Sequence, residues 1–171
     1  VYWDITPEDF RDKMLNEFNK FWNQGRSEKA ENIGLSKFEV ISLASIVQIE
    51  SRKIDERPRV AGLYINRLRD NMRLQADPTV IYTIKEYYKN FDTIIRRVLY
   101  RDLKLDSDFN TYKIKGLPPT PISMPGRASI EAALNPLAGK SLYFVAKGDG
   151  SHVFSNTYKE HTKAVREFQL N

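Results

Sequence analysis

The stretch from Ser36 to Glu50, SKFEVISLASIVQIE, leaves this chain fewer options than any other. Ser36 and Glu39 are spaced as a capping box: the serine side chain accepts from the backbone N–H three residues on, and the glutamate reaches back to the serine N–H. A helix therefore starts at a defined point. From Val40 to Ile49 every residue but Gln48 is apolar or small. Val40, Ala44 and Val47 share one face, with Ile41, Ser45 and Gln48 beside it, and Leu43 and Ile46 widen the apolar arc. A helix this apolar is buried on most sides, so the remaining chain must fold around it. It also delivers Glu50 to its C-terminal end. There the negative end of the helix dipole and apolar surroundings both disfavour a carboxylate, and both raise its pKa. From the residues alone, Glu50 reads either as an acid held protonated near neutral pH or as a solvated helix-end glutamate.

The chain has 171 residues, of which 41% are hydrophobic and 29% charged, a balance that fits one globular domain, with room for a small appendage. No apolar run reaches the ~20 residues that span a bilayer, and the opening VYWDITPEDF is no signal peptide. The first residue is not Met, which fits a piece of a longer, anchored protein. Cysteine is absent, which excludes disulfides, thiolate metal sites and a cysteine nucleophile. The net charge of +5 favours an anionic partner: nucleic acid, a membrane surface or an acidic polymer. Lys and Arg are scattered among acids, and the aromatics fall in packing stripes rather than within a basic patch, which argues against nucleic acid.

Along the chain, Thr6-Pro7-Glu8-Asp9 opens a helix to about Asn23, with Phe10, Met14, Phe18, Phe21 and Trp22 as its packing stripe. The polar segment from Gln24 to Leu35, with two glycines, reads as a loop. After Glu50, Asp55 is placed to cap a helix carrying Val60, Leu63, Tyr64 and Leu68, with Arg57, Asn66, Arg67 and Arg69 as polar companions. Asp77 and Pro78 start a helix to about Tyr88, and Asp92 starts another through Ile94, Ile95, Val98 and Leu99. The character then changes. Asn110 to Ile114 is strand-like, and the four prolines between Gly116 and Gly126 exclude helix. A short helix over Ser129–Leu134 precedes a hairpin, Leu142–Ala146 and His152–Ser155, and Thr157 with Glu160 makes a second capping box.

For chemistry, His152 and His161 are the only histidines and have no metal-binding spacing. No metal or cofactor is expected. Phosphate-cradling glycine loops and a GxSxG turn are missing too. Acid–base work by carboxylates is left, with Glu50, Asp55, Glu56 and Asp77 as candidates. Asp55 and Asp77 have simpler uses as caps, and Glu56 adjoins Arg57.

The segments LASIVQIES, ERPRVAGLYINRL, LQADPTVIY, NTYKIKGLPPTPISMPGRASIEAALNP and LYFVAKGDGSHVFSNTYKEH occur in that order. In this, residues from about Ser36 to Val165 resemble the YceG-like family of endolytic murein transglycosylases. The resemblance implies a lyase that cuts the MurNAc–GlcNAc β-1,4 bond within peptidoglycan strands and leaves a 1,6-anhydro-MurNAc end. It implies that Glu50 is the catalytic residue, a single carboxyl that serves first as the acid for the leaving oxygen and then as the base for the C6 proton. Many members carry a second Glu where this chain has Gln48. It further implies action on nascent glycan strands at the outer, periplasmic face of the cytoplasmic membrane, beside peptidoglycan synthases, with anchoring by an N-terminal helix that this chain lacks. The expected fold is α+β: a helical lobe carrying Glu50 and a small antiparallel sheet closing over a lytic-transglycosylase-like cleft. Residues 36–171 form the catalytic domain in this reading, and residues 1–35 are a helix and loop leading from a preceding small domain. Gln75, Asp77, Asn110 and Tyr112 are expected to meet sugar hydroxyls and acetamido groups, with Tyr112 or Tyr64 stacking on a sugar face. Pro119, with Pro118 and Pro121, is expected to fix a loop bordering the cleft. A non-catalytic glycan-binding module with the same cleft is the alternative.

Overall fold

The computed structural model describes residues 3–170. They form seven α-helices, two short 3₁₀ turns and one two-stranded antiparallel sheet, an α+β arrangement. The helices are α1 (Pro7–Phe21), α2 (Gln24–Asn32), α3 (Lys37–Glu50), α4 (Arg57–Arg69), α5 (Asp77–Tyr87), α6 (Arg127–Leu134) and α7 (Tyr158–Gln169). The strands are β1 (Tyr143–Ala146) and β2 (His152–Ser155).

α3 is the axis of the fold. Both halves of its capping box form, and Val40, Leu43, Ala44, Ile46 and Val47 are fully buried. The Val, Leu and Ile side chains among them each contribute roughly 1.5–3 kcal/mol relative to exposure. α4 supplies the facing apolar stripe, Val60, Ala61, Leu63 and Tyr64, all buried. Its entry differs from the expected cap: a 3₁₀ turn over Ile54–Glu56 leads into it, and Asp55 is exposed.

α4 also places the sheet. Gly62 lies so close to the backbone of Leu137 that any Cβ there would strike the Leu137 carbonyl. The Leu137 N–H donates to the Pro58 carbonyl at 2.8 Å, and Asn66 Nδ2 donates to the carbonyls of Gly139 (3.0 Å) and Ser141 (3.1 Å). The loop to β1 is thus tied along one face of α4. In the hairpin Phe144 pairs with Phe154 and Ala146 with His152, while Tyr143 pairs with Ser155 and Val145 with Val153. Directly opposed residues share a face. The Phe144–His152 face meets α4, through Tyr64 at 6.2 Å between ring centroids and Arg59 over the Phe154 ring. The Tyr143–Val145 face meets α7, where Tyr143 stacks on His161.

Four sequence expectations fail for identifiable reasons. Residues 24–32 are helical, because Asn23 caps the Arg26 N–H at 3.0 Å and tertiary contacts override the polar, glycine-containing sequence. Arg26 bonds Glu131 at 2.6 Å and lies over the Phe21 ring. The helix expected from Asp92 is absent: residues 92–99 are irregular, and the carboxylate of Asp102 takes the Leu99 N–H instead. Residues 110–114 are a turn, with the N–H groups of Lys113 and Ile114 donating to the Asn110 carbonyl. The α1 stripe is buried only at its end. Trp22 joins the core, with Phe18 and Phe21 packed against it, but Phe10 and Met14 are 42% and 37% exposed. Trp22 and Ala30 share the core cluster of α3 and α4. No helix among the described residues is long and apolar enough to cross a membrane.

Candidate active site

A groove of about 520 Å³ opens between the ends of α3 and α4 on one side and the hairpin with α7 on the other. Glu50, Gln75, Asp77 and Tyr112 all line it. Its hairpin side is formed by β1 and by His152, Tyr158 and His161.

Glu50 sits on the last turn of α3, half-buried. Tyr64, from the facing turn of α4 and only 1% exposed, donates its hydroxyl to Glu50 Oε1 at 2.8 Å. Burial pushes the Glu50 carboxyl up to about 7. The Tyr64 hydrogen bond and the Arg67 charge pull against that rise, while Asp77 adds to it. Desolvation dominates the balance. The group therefore holds a proton over a substantial part of the neutral range, as a general acid must. Burial raises the Tyr64 phenol well above its usual range, and the neighbouring Glu50 adds to it, so Tyr64 stays a neutral donor.

Arg67 is the charged member of the inner face of α4. It is 7% exposed and pairs with no carboxylate among the described residues. Backbone carbonyls hold it instead: Nε donates to Leu142 at 2.6 Å, and Nη1 to Leu74 at 2.7 Å and Arg73 at 3.3 Å. One guanidinium thereby joins α4, the turn before α5 and the start of β1.

That turn is unusual. Gln75 adopts a left-handed backbone, φ 50°, and its N–H donates to the Thr111 carbonyl at 3.1 Å. A non-glycine residue held there is a strained conformation found often at functional sites. Thr111 staples the turn by accepting the Ala76 N–H (3.0 Å) and bonding the Thr79 hydroxyl (2.8 Å). α5 consequently starts with Ala76 as its N-cap, and Asp77 makes no cap hydrogen bond. Its carboxylate instead accepts from the Tyr112 hydroxyl at 2.7 Å. Burial and then Asp77 raise the Tyr112 phenol above its ordinary value.

Two expected substrate contacts lie elsewhere. Asn110 is fully buried, with its Nδ2 donating to the carbonyls of Leu103 (3.2 Å) and Leu105 (2.7 Å) and its Oδ1 accepting the Tyr112 N–H (3.0 Å). It shapes the turn that presents Tyr112 and does not line the groove. Pro119 is exposed on a loop that docks along another face of α3, where Ser42, Ser45 and Gln48 bond its backbone. Gln48 uses both ends of its amide, accepting the Gly126 N–H at 2.6 Å and donating to the Met124 carbonyl at 3.1 Å. A glutamate there could not make the second bond. Tyr64 is too buried to stack on a sugar. Sequence reasoning missed Arg67 and the hairpin's His152. Arg67 had a readable signal, since Val60, Leu63, Tyr64 and Arg67 follow the i, i+3, i+4, i+7 pattern of one face.

The profile of the YceG-like family matches residues 1–167. The chain belongs to the YceG-like family. It is 38% identical to the endolytic murein transglycosylase of Bacillus subtilis (strain 168) over 165 residues, 96% of this chain and 44% of that protein. It is 30% identical to the endolytic murein transglycosylase of Streptococcus pneumoniae serotype 2, over 95% of this chain and 29% of that protein. A crystal structure described as a yceG-like protein from Listeria monocytogenes superposes with a TM-score of 0.79 at 34% identity, covering 95% of this chain and 50% of that one. This YceG-like chain thus spans less than half the length of these curated relatives.

Proposed function

We propose that this chain is the catalytic part of an endolytic murein transglycosylase, with Glu50 as its acid. The observation that carries the reading is the Glu50 carboxyl itself: raised to about 7 by burial, and opening on a polar groove beside a neutral Tyr64. Two relatives that match nearly the whole chain bear that name.

Ordinary glycosidases use two carboxyl groups, one of them to activate water or to attack the sugar. A lytic reaction needs no water, because the C6 hydroxyl of the muramyl residue attacks its own C1. Glu50 Oε1 receives the Tyr64 hydroxyl, so the acid proton resides on Oε2. It passes to the glycosidic oxygen as the C1–O bond breaks, and the C1–O6 bond closes a 1,6-anhydro ring. The Glu50 carboxylate then takes the O6 proton. Gln75, Asp77 and Tyr112 stand on the groove where they can meet sugar hydroxyls and acetamido groups. A basic chain suits a polymer bearing stem-peptide carboxylates. Trp22 and Ala30 share the buried cluster of α3 and α4, which supports counting the stretch before residue 36 with the catalytic unit. The full protein acts in the cell envelope on nascent strands near the synthases, anchored outside the cytoplasmic membrane through a segment beyond this chain.

The test is the mass of muropeptides released from peptidoglycan by the wild-type chain and by Glu50→Gln. The variant should lose ~10²–10⁴-fold in rate of anhydro-muropeptide formation. Undiminished product would remove Glu50 from the mechanism. A wild-type chain that binds glycan and releases nothing would make this a binding module.

A further inference from the structure

A carboxyl that gives a proton and then takes one back through the same oxygen needs its other oxygen held. In this chain the holding group is a phenol. Tyr64 belongs to the inner face of α4, with Val60, Leu63 and Arg67, and is 1% exposed. Its ring meets Phe144 of β1 edge-on at 6.2 Å, so hairpin and helices both fix it. A hydroxyl buried this deeply costs stability unless it is bonded, and phenylalanine would fill the space without that cost. Among the described residues the Tyr64 hydroxyl has one partner, Glu50 Oε1, at 2.8 Å. Glu50 Oε2 is neither bonded nor sealed from solvent, and Glu50 lines the groove.

The bond does more than satisfy a buried hydroxyl. Burial, and then Glu50, raise the phenol well above its usual range, so Tyr64 donates to a carboxylate without surrendering its proton. A hydrogen bond to a carboxylate is roughly twice as strong as one between neutral groups. The bond therefore tightens as Glu50 gives up its proton and relaxes as the proton returns. Burial favours the protonated form and acts in the opposite sense. Arg67 from α4 and Asp77 from α5 also act on Glu50, in opposite directions, and neither bonds it. The Tyr112 hydroxyl is committed to Asp77. Across the groove His152 is bonded to Glu56, and burial holds His161, between the Tyr143 and Tyr158 rings, toward its neutral form. Tyr64 is the direct partner of the acid.

We propose that Tyr64 is the positioning residue that lets one carboxyl work in both directions: its hydroxyl holds Glu50 Oε1 through both proton transfers, so that Oε2 faces the glycosidic oxygen and then O6. The inference rests on Glu50 as the acid. The Oε2 proton passes to the glycosidic oxygen, which leaves with the electron pair of the C1–O bond. Tyr64 stabilises the carboxylate as it forms. An O6 lone pair makes the C1–O6 bond, and the O6 proton returns to Oε2. Tyr64 begins and ends as a neutral phenol, and no other reactant is needed.

The pH dependence of anhydro-muropeptide release by the purified chain tests this. In wild type kcat/KM should fall on the alkaline side as free Glu50 ionises, near pH 7. Tyr64→Phe removes the bond that favours the carboxylate, so this alkaline limb should move up by ~1–2 pH units. At the plateau kcat should fall ~10–10²-fold with KM little changed. Replacing Tyr64 with 3-fluorotyrosine keeps ring and hydroxyl but strengthens the donor, and should move the limb down. That arm decides the matter if Tyr64→Phe fails to fold. A hydroxyl that serves packing alone leaves the limb in place in both. An unmoved limb, or an unchanged kcat in folded Tyr64→Phe, overturns the proposal. The Glu50 reading fails separately, by an active Glu50→Gln.

Discussion

On one side of the groove stand Glu50, Tyr64 and Arg67, carried by two helices whose inner faces are fully buried. On the other stand Phe144, His152 and His161, carried by two four-residue strands and a helix with a single buried residue, Ala164. The helical side obtains its chemistry by withholding water. Its apolar packing desolvates a carboxyl and a phenol and leaves one hydroxyl to balance the first. The hairpin side has less core to do that with, and its His152 is instead held by an individual partner, Glu56. Burial lowers the His161 pKa and the Arg67 charge adds to it, so the rigid side also acts electrostatically on the lighter one. Desolvation is robust because many contacts share it, whereas a partner-held group is lost with one substitution.

Arg67 is where the two sides are joined, and removing it should have the largest effect. Arg67→Met keeps the apolar stem but leaves the carbonyls of Leu74 and Leu142 without their charged donor. The expected cost is about 3–5 kcal/mol, from two hydrogen bonds to a charged group, or ~10 °C in melting temperature for a chain of this size. Amide exchange should rise first in β1 and β2, with α3 still protected. Equal loss of protection in both would mean that hairpin and helices form one cooperative unit and the contrast between them is false.

A smaller effect sharpens the claim that desolvation sets Glu50. Its folded pKa is about 7 against an ordinary value of 4.5. Below pH 4.5 folded and unfolded chains both hold the proton, and Glu50 imposes no penalty. As pH rises the unfolded chain ionises first, so the folded state loses stability up to about pH 7 and no further. The accumulated cost is about 3 kcal/mol. Glu50→Gln should therefore be the more stable protein at pH 8 by that order and equal to wild type at pH 4, as denaturant titration at the two pH values would record. A difference independent of pH would show that Glu50 is not desolvated.

The same contrast explains what could be read from the sequence. α3, its capping box and Glu50 were legible because a continuous apolar run admits one solution. The hairpin and the α7 capping box were legible from turn chemistry and alternation. Asn110 was read as a sugar contact because buried and exposed amides look alike in a sequence. Its partners Leu103 and Leu105 become neighbours only when residues 103–112 fold back on themselves. Asp77 was read as a cap, since nothing local reveals that Tyr112, distant in sequence, takes its carboxylate. The Glu56–His152 pair spans 96 positions and depends on strand register, which no pattern near either residue encodes. The α2 helix was hidden for a related reason: its stabilising partners, Glu131 and Asn135, lie beyond the proline-rich loop.

That loop supplies the smallest expected effect and the plainest check on a groove with only two sides. Residues 116–126 were expected to border the cleft, yet none of them lines it. The Ile122 N–H donates to Ser45 Oγ at 3.0 Å, and the Pro118 carbonyl accepts from Ser42 Oγ at 3.3 Å. Ser45 leaves α3 on a face turned away from Glu50 by helical spacing, and so does Gln48, which takes the Gly126 N–H. Pro119 is exposed and its ring bears on neither core nor groove. Pro119→Ala should cost only what a freer unfolded chain costs, ~0.5 kcal/mol. The rate of glycan cleavage should stay within about twofold of wild type, which is ~0.4 kcal/mol in barrier. A tenfold loss of rate in a variant that melts like wild type would bring the loop against bound glycan. The groove would then have a third side, one that acts neither by desolvation nor by paired polar groups but by rigid shape.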